Sequence, residues 1–478
     1  MGIENIIKQN KGDMKGTRNL TEGPINSQLF KLAMPIMATS FIQMAYSLTD
    51  MAWVGRLGSE AATVVGSVGI FVWMTTALSL LGKIGSEVSI AQAVGAQNEK
   101  DARSFIAHNF TISLILSLIW GALFILFSHQ IVDVFKLDGT NSSGPISTNA
   151  VSYLRIISCG FPLIFLTSAF TGMYNAVGRS KIPFYISGTG LILNMVLDPL
   201  FIFGLKLGTD GAGYATVISQ AIVLAIFVYN IKIKNPIFDH VAFFTKLRKK
   251  YTKRVLKLGS PVALFNLLFA FVNLFLSRLA SDYGGYIGVM TLTTGALIEG
   301  ITWNTAQGFS TALGTFIAQN YAAGKYDRVI QAWKLTLKMS AVFGLACTIL
   351  FVGFGDTVFS LFVPGEPEAF KAGGLYLQIS GLSQLFMTLE ITSQGVFYGL
   401  GRTTPPAVIS IFFNYSRIPI ALVLTGTIAI GGIAMGVEGI WWAVSLTSIC
   451  KGTFLTLWLF FIKNKVLNPK SKGYSLEG

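Results

Sequence analysis

Apolar runs of roughly 20 residues recur from Leu29 to Phe461, each long enough to cross about 30 Å of hydrocarbon as a helix. Backbone groups in lipid must find partners within the chain, which leaves helices or a closed barrel. The runs lack the apolar/polar alternation of barrel strands, so helices are predicted. Composition agrees: 12% of residues are charged, where a soluble domain carries about a quarter. The expected fold class is an all-α integral membrane protein. Twelve transmembrane helices are predicted, over 29–54, 62–90, 105–130, 150–173, 184–204, 211–231, 258–279, 287–317, 335–360, 375–399, 406–430 and 438–462.

A net charge of +14 would suit a nucleic-acid binder, but its placement says otherwise. Connections between these spans alternate between two sides. One side collects 25 basic residues, among them Lys8, Lys11, Lys15 and Arg18, nine from Lys232 to Lys257, and Lys463, Lys465, Lys470 and Lys472. The other holds 5: Arg56, Lys136, Lys206, Arg278 and Lys371. The positive-inside rule puts the basic side and both termini in the cytoplasm. The charge is topological, and no nucleic-acid partner is expected. Met1 to Ser27 lacks the apolar core of a cleaved signal peptide, so the first span should stay in the cell membrane as an anchor.

The spans fall into two related sets. Lys31-Leu-Ala-Met-Pro35 matches Lys257-Leu-Gly-Ser-Pro261, and Ile90-Ala-Gln92 matches Ile317-Ala-Gln319. Gly172, Gly178 and Arg179 match Gly395, Gly401 and Arg402, and Gly208-Thr-Asp-Gly211 matches Gly436-Val-Glu-Gly439. The offsets are 226, 227, 223 and 228 residues, always in the same order. Two six-helix lobes are therefore expected, at 28–231 and 258–462, related by a pseudo-two-fold axis along the membrane normal. A cytoplasmic N-tail (1–27), a basic linker (232–257) and a C-tail (463–478) complete the domain plan.

Ionisable residues inside spans are costly and therefore functional candidates. The clearest are Asp50, Lys83, Glu87, Arg155, Asp198, Glu299, Glu390, Arg417 and Lys451; Lys338 and Asp356 also fall in the ninth span, close enough to its ends to snorkel or reach water. Lys83 and Glu87 stand four apart on one helix face, where a local ion pair could form. Asp50 and Asp198 each lie about two turns below the outer boundary, with Asn194 on the face of Asp198 and Thr216 at similar depth. Carboxylates with amide and hydroxyl oxygens suit a hard cation such as Na⁺, or a shared proton. The repeat supplies an internal control: Asn194 keeps its partner as Asn414, but Asp50, Asp198 and Thr216 face Val272, Ile418 and Val444. Groups serving only the shared scaffold should recur in both halves. In the second half Glu299 could line a cleft or cap a helix, and Arg417 could pair with Glu390. Pro35 reads either as a hinge in the first span or as a first-turn proline, the latter supported by its recurrence at Pro261.

Cys159, Cys347 and Cys450 show no disulfide or metal-ligand spacing, and His108, His129 and His240 are isolated. No Gly-x-x-x-x-Gly-Lys-Ser/Thr phosphate loop is present. Neither an enzyme nor an ATP motor is expected, and the energy for any transport would come from an ion gradient or an external partner. Asn141-Ser-Ser143 is a glycosylation-type triplet in an outer loop, relevant only in a secretory-pathway host.

Three segments resemble the multidrug and toxic compound extrusion (MATE) family: Asp50-Met-Ala-Trp-Val-Gly-Arg-Leu-Gly58, Gly172-Met-Tyr-Asn-Ala-Val-Gly-Arg-Ser-Lys-Ile-Pro183 and Asn194-Met-Val-Leu-Asp-Pro199. The resemblance covers nearly the whole chain. It implies a monomeric antiporter in the lipid bilayer that exports small amphipathic, often cationic compounds against H⁺ or Na⁺, with no other cofactor. It also implies that Asp50, Asn194, Asp198 and Thr216 match the family's N-lobe cation site, and Pro35 a first-helix bending point. Some branches use acids in the seventh and tenth spans; here the seventh span has none, while Glu390 stands in the tenth. A lipid-linked oligosaccharide flippase of the wider superfamily is the alternative, disfavoured by the twelve-span count.

Overall fold

The computed structural model describes residues 16–135, 137–138, 144–234, 242–362, 367–428, 432 and 434–466. Lys8, Lys11, Lys15, Lys136, the Asn141-Ser-Ser143 triplet, His240, Lys470 and Lys472 lie outside the described residues. Within them the chain is helical and without strands. The helices are α1 (Ile25–Val54), α2 (Ser59–Gly95), α3 (Glu99–Leu126), α4 (Ser128–Asp133), α5 (Pro145–Cys159), α6 (Phe161–Ala176), α7 (Lys181–Pro199), α8 (Gly208–Tyr229), α9 (Lys249–Ala322), α10 (Tyr326–Ser360), α11 (Pro367–Gly399), α12 (Thr404–Leu424) and α13 (Val437–Val466).

Among the described residues eight helices are long and apolar enough to cross a membrane, or nine with the α5–α6 pair, which bends by 41°. The predicted span 150–173 is that bent pair, broken at Gly160 between them. The 74 residues of α9 would run about 110 Å if straight, over three times the hydrocarbon thickness. Gly285 interrupts them at φ 57°, ψ −144°, a backbone region open to glycine, between the predicted seventh and eighth spans. Leu126, Ile119, Ile192 and Phe461 stand exposed on the outside. Such a surface belongs in lipid.

Pro35 is the eleventh residue of α1 and Pro261 the thirteenth of α9. The first-turn reading of both is therefore wrong: the chain enters each helix well before the sequence pattern suggested. Each proline sits inside a helix, where it leaves a carbonyl four residues back without its donor.

The early entry matters for packing. On α1, Leu29, Leu32, Ala33 and Ile36 form an i, i+3, i+4, i+7 stripe. It is buried against Leu313, Phe316, Trp333 and Phe397 of the second half. Reciprocally, Tyr251, Val255 and Ala263 of α9 join Leu81, Phe105, Phe170 and Tyr174 of the first half. Two other clusters draw on one half each, around Val64, Leu154 and Phe161 and around Leu276, Phe359 and Trp441. The leading ends of α1 and α9 thus exchange halves.

At that end the backbones touch. A Cβ on Gly85 of α2 would overlap the Val255 carbonyl of α9, and one on Gly259 would overlap the Leu81 carbonyl. Only glycine permits this crossing. Beyond it, Gln92 Nε2 donates to Gly399 O at 3.0 Å, and Gln319 Nε2 donates to Ala176 O at 2.8 Å. Gln92 Oε1 in turn accepts from Arg254, and Gln319 Oε1 from the Leu20 amide.

Candidate cation-coupling site

The four residues singled out in the first half meet in space. Asp50 projects from α1, Asn194 and Asp198 from α7, and Thr216 from α8. Thr216 Oγ1 donates to Asp50 Oδ2 at 3.4 Å. Asn194 Nδ2 donates to Asp198 Oδ1 at 3.2 Å. Asp50 and Asp198 lie close enough to interact directly. Asn194 and Asp198 are fully buried. Pro199 follows Asp198 at once, and Leu200–Gly204 continue as a π-helix, a local widening that recurs at functional sites.

Asp50 Oδ1, Asp198 Oδ2, Asn194 Oδ1 and the Tyr46 hydroxyl are buried without a hydrogen-bond partner among the described residues. Each such atom costs about 1–3 kcal/mol, so a group of four marks a place shaped for a positive charge or a proton. No Lys or Arg forms an ion pair with either acid among the described residues. Two carboxylates and two neutral side-chain oxygens fit a small hard cation by their chemistry. A cluster of three or more His, Cys, Asp or Glu, which a transition metal would require, does not occur among the described residues.

Sequence reasoning overlooked Tyr46 and Tyr153, both of which feel the charges of Asp50 and Asp198. Tyr46 precedes Asp50 by one turn, and that i, i+4 spacing was the available signal. Tyr153 comes from α5 and carried none.

The second half is built differently. Glu390 does not pair with Arg417, as the sequence had suggested; it pairs with Lys451, Nζ to Oε2 at 3.1 Å. Lys451 Nζ also donates to Asn414 Oδ1 at 3.2 Å. Arg417 Nε donates to Thr447 Oγ1 at 3.0 Å and Nη2 to Ser448 Oγ at 2.9 Å. Glu299 accepts from Tyr376 OH and Gln384 Nε2, each at 3.3 Å. It is thus a half-buried member of a hydrogen-bonded network inside α9 and not a helix cap. Two acids and two bases balance here, so Asn414, the repeat partner of Asn194, faces an ammonium instead of a carboxylate.

Other intramembrane charges separate from both clusters. Arg155 Nε donates to Ser128 Oγ at 2.8 Å, a local tie. Lys83 and Glu87 form no ion pair; the Lys83 side chain lies against Gly172 of α6. Trp73 of α2 approaches Phe269 of α9 with ring centroids 6.3 Å apart, and the Arg417 guanidinium lies 5.7 Å from the Phe269 ring. This aromatic contact bridges the two halves.

The MatE family model matches the chain twice, over residues 35–200 and 261–423. This chain belongs to the MATE family of transporters. The double match coincides with the internal repeat. The probable multidrug resistance protein NorM of Thermotoga maritima is 27% identical over 92% of this chain and 93% of its own length. The FAD transporter of Shewanella oneidensis is 24% identical, covering 95% of this chain and 98% of that protein. A MOP superfamily transporter from Pyrococcus furiosus, described as having a binding pocket of reverse polarity, superposes with a TM-score of 0.84 at 23% identity. That match covers 95% of this chain and 99% of the other. An outward-facing multidrug resistance MATE transporter gives 0.84 at 22% identity, covering 95% and 99%. These likenesses fix the fold of this MATE transporter, a multi-pass membrane protein.

Proposed function

We infer that this MATE transporter is a secondary active multidrug exporter that antiports amphipathic or cationic organic compounds against H⁺ or Na⁺. The relatives named for multidrug resistance support the export reading. The observation that carries the coupling site is the uncompensated acid pair: Asp50 and Asp198 sit among four buried, partnerless atoms, while the acids and bases of the second half neutralise one another.

In this reading residues 28–231 and 258–462 are two six-span lobes, twelve spans in all, joined by a basic linker over 232–257. The chain lies in the plasma membrane as a monomer with N-tail (1–27) and C-tail (463–478) in the cytoplasm, and it transports without catalysing a reaction. The reciprocal bonds of Gln92 and Gln319 support the pseudo-two-fold axis, because Gly399 and Ala176 are themselves repeat partners. Those bonds and the glycine crossing support a closed cytoplasmic end, and hence the reading of this structure as an outward-facing state. A cation arriving from outside binds between Asp50 and Asp198. By linkage it shifts the lobes only as far as its affinity differs between the two states. Substrate then enters from the cytoplasmic side and leaves outside when the lobes return.

Dye efflux from cells lacking their own exporters tests the function. Expression should lower dye accumulation, and collapsing the gradient should restore it. Unchanged efflux together with raised lipid-precursor translocation would establish the flippase alternative instead. Proton flux in proteoliposomes with and without Na⁺ identifies the coupling ion.

A further inference from the structure

A second buried acid lies between the halves, away from the Asp50 site. Glu87 is 5% exposed, about 12 Å before the end of α2 at Gly95. Thr315 Oγ1 of α9 donates to Glu87 Oε1 at 3.2 Å, so the bond spans the seam between the halves. Glu87 Oε2 has no partner among the described residues. It borders a cavity of about 40 Å³ walled by Gln307, Ser310, Thr311, Thr315 and Tyr398, roomy enough for a water molecule.

The charges around Glu87 are few. Among the described residues Lys83, on its own helix, is the one cation acting on it, and it stands beyond ion-pair distance with its chain against α6. Arg254 of α9 reaches Gln92, five residues further along α2. The α3 face offers Asn109 and Ser113 at Gly82, neither charged. From α11 the titratable neighbour is Tyr398, and the α9 wall contributes only amide and hydroxyl groups.

A carboxylate in that seam would lose its hydration with one oxygen bare and no counter-ion beside it. The neutral acid keeps the Thr315 bond and can donate from Oε2 into the cavity. Parting the halves at this end would admit water and solvate the ion. We propose that Glu87 is a proton-binding site in the lobe seam, loaded while the cytoplasmic end is closed and emptied towards the cytoplasm when it opens. One proton is bound or released and no bond is otherwise made. Because the proton binds the closed form more tightly, rising pH favours opening. The inference rests on the two-lobe reading but not on coupling through Asp50.

Spin labels test it. Lys100→Cys on α3 and Asp327→Cys on α10 place labels at exposed, repeat-related positions of the closed end, with Cys159, Cys347 and Cys450 replaced by serine. In liposomes between pH 5 and 9, the long-distance population should grow with pH. Glu87→Gln should remove that shift and keep the short distance throughout, while Asp50→Asn should retain it. Thr315→Val, a second route should Glu87→Gln fold poorly, should move the midpoint up by about one pH unit, since a hydroxyl bond favours the charged acceptor. A wild-type distance independent of pH, or a wild-type response surviving Glu87→Gln or unmoved by Thr315→Val, overturns the proposal.

Discussion

Lys451 Nζ lies 3.1 Å from Glu390 Oε2, with the two side chains 7% and 4% exposed. Gln394 Nε2 donates to the other carboxylate oxygen at 2.7 Å. Removing one partner strands a buried charge, which costs about 3–5 kcal/mol. Lys451→Met should therefore lower the melting temperature in detergent clearly. Lys451→Met with Glu390→Gln should recover most of the loss, because the pair is removed together. Equal losses in the single and double variants would show that the two side chains are not energetically coupled.

The Asp50 cluster behaves in the opposite way. Among the described residues its acids have no counter-ion to strand, and four of its atoms already lack partners. Asp50→Asn and Asp198→Asn should leave the melting temperature unchanged or raise it, while gradient-driven efflux falls to background. Wild-type efflux in either variant would remove that residue from the coupling site. Tyr46→Phe deletes one partnerless hydroxyl and should weaken cation dependence by about tenfold or less, read as the cation concentration that half-saturates transport.

Much of this was legible because intramembrane polarity is scarce. Asp50, Asn194, Asp198 and Thr216 stood out by shared depth, and the repeat showed that the second half keeps only Asn414 in place of Asn194 and has apolar residues at the other three positions. What spacing could not give was partner choice across helices. Glu390 had Arg417 and Lys451 within plausible reach, and only the packing of α11 against α13 selects Lys451. The starts of α1 and α9 were also placed late, because Tyr251 to Lys257 reads as basic linker. Its Tyr251 and Val255 are buried in the first half. A charged stretch can still present one apolar stripe when the opposite face meets water.

The glycine crossing makes a distinct prediction. A methyl at Gly85 meets the Val255 carbonyl, and one at Gly259 meets the Leu81 carbonyl. Both obstacles are backbone, so neither can swing aside. Gly85→Ala and Gly259→Ala should each cost about 1–3 kcal/mol through overpacking. The double variant should cost less than their sum, since the first displacement opens room for the second. Strict additivity of the two melting-temperature losses would argue against a shared crossing point.

Pro35 stands where α1 changes allegiance. Leu29, Leu32, Ala33 and Ile36 pack with the second half, whereas Asp50 meets Thr216 in the first. One helix thus packs with both halves of the chain, which the proposed function would move apart. Thr39 Oγ1 donates to Pro35 O at 2.8 Å and Ser40 Oγ to Ile36 O at 3.3 Å, and such back-bonding bends helices as proline does. Pro35→Ala returns an N–H to the Lys31 carbonyl and removes the ring clash, a change worth up to about 3 kcal/mol in a helix interior. The variant should melt at the same temperature or higher and bind drug with unchanged affinity, yet turn over several-fold more slowly. A wild-type turnover rate would mean that α1 need not bend there, and that its two ends move with the halves by rigid tilting.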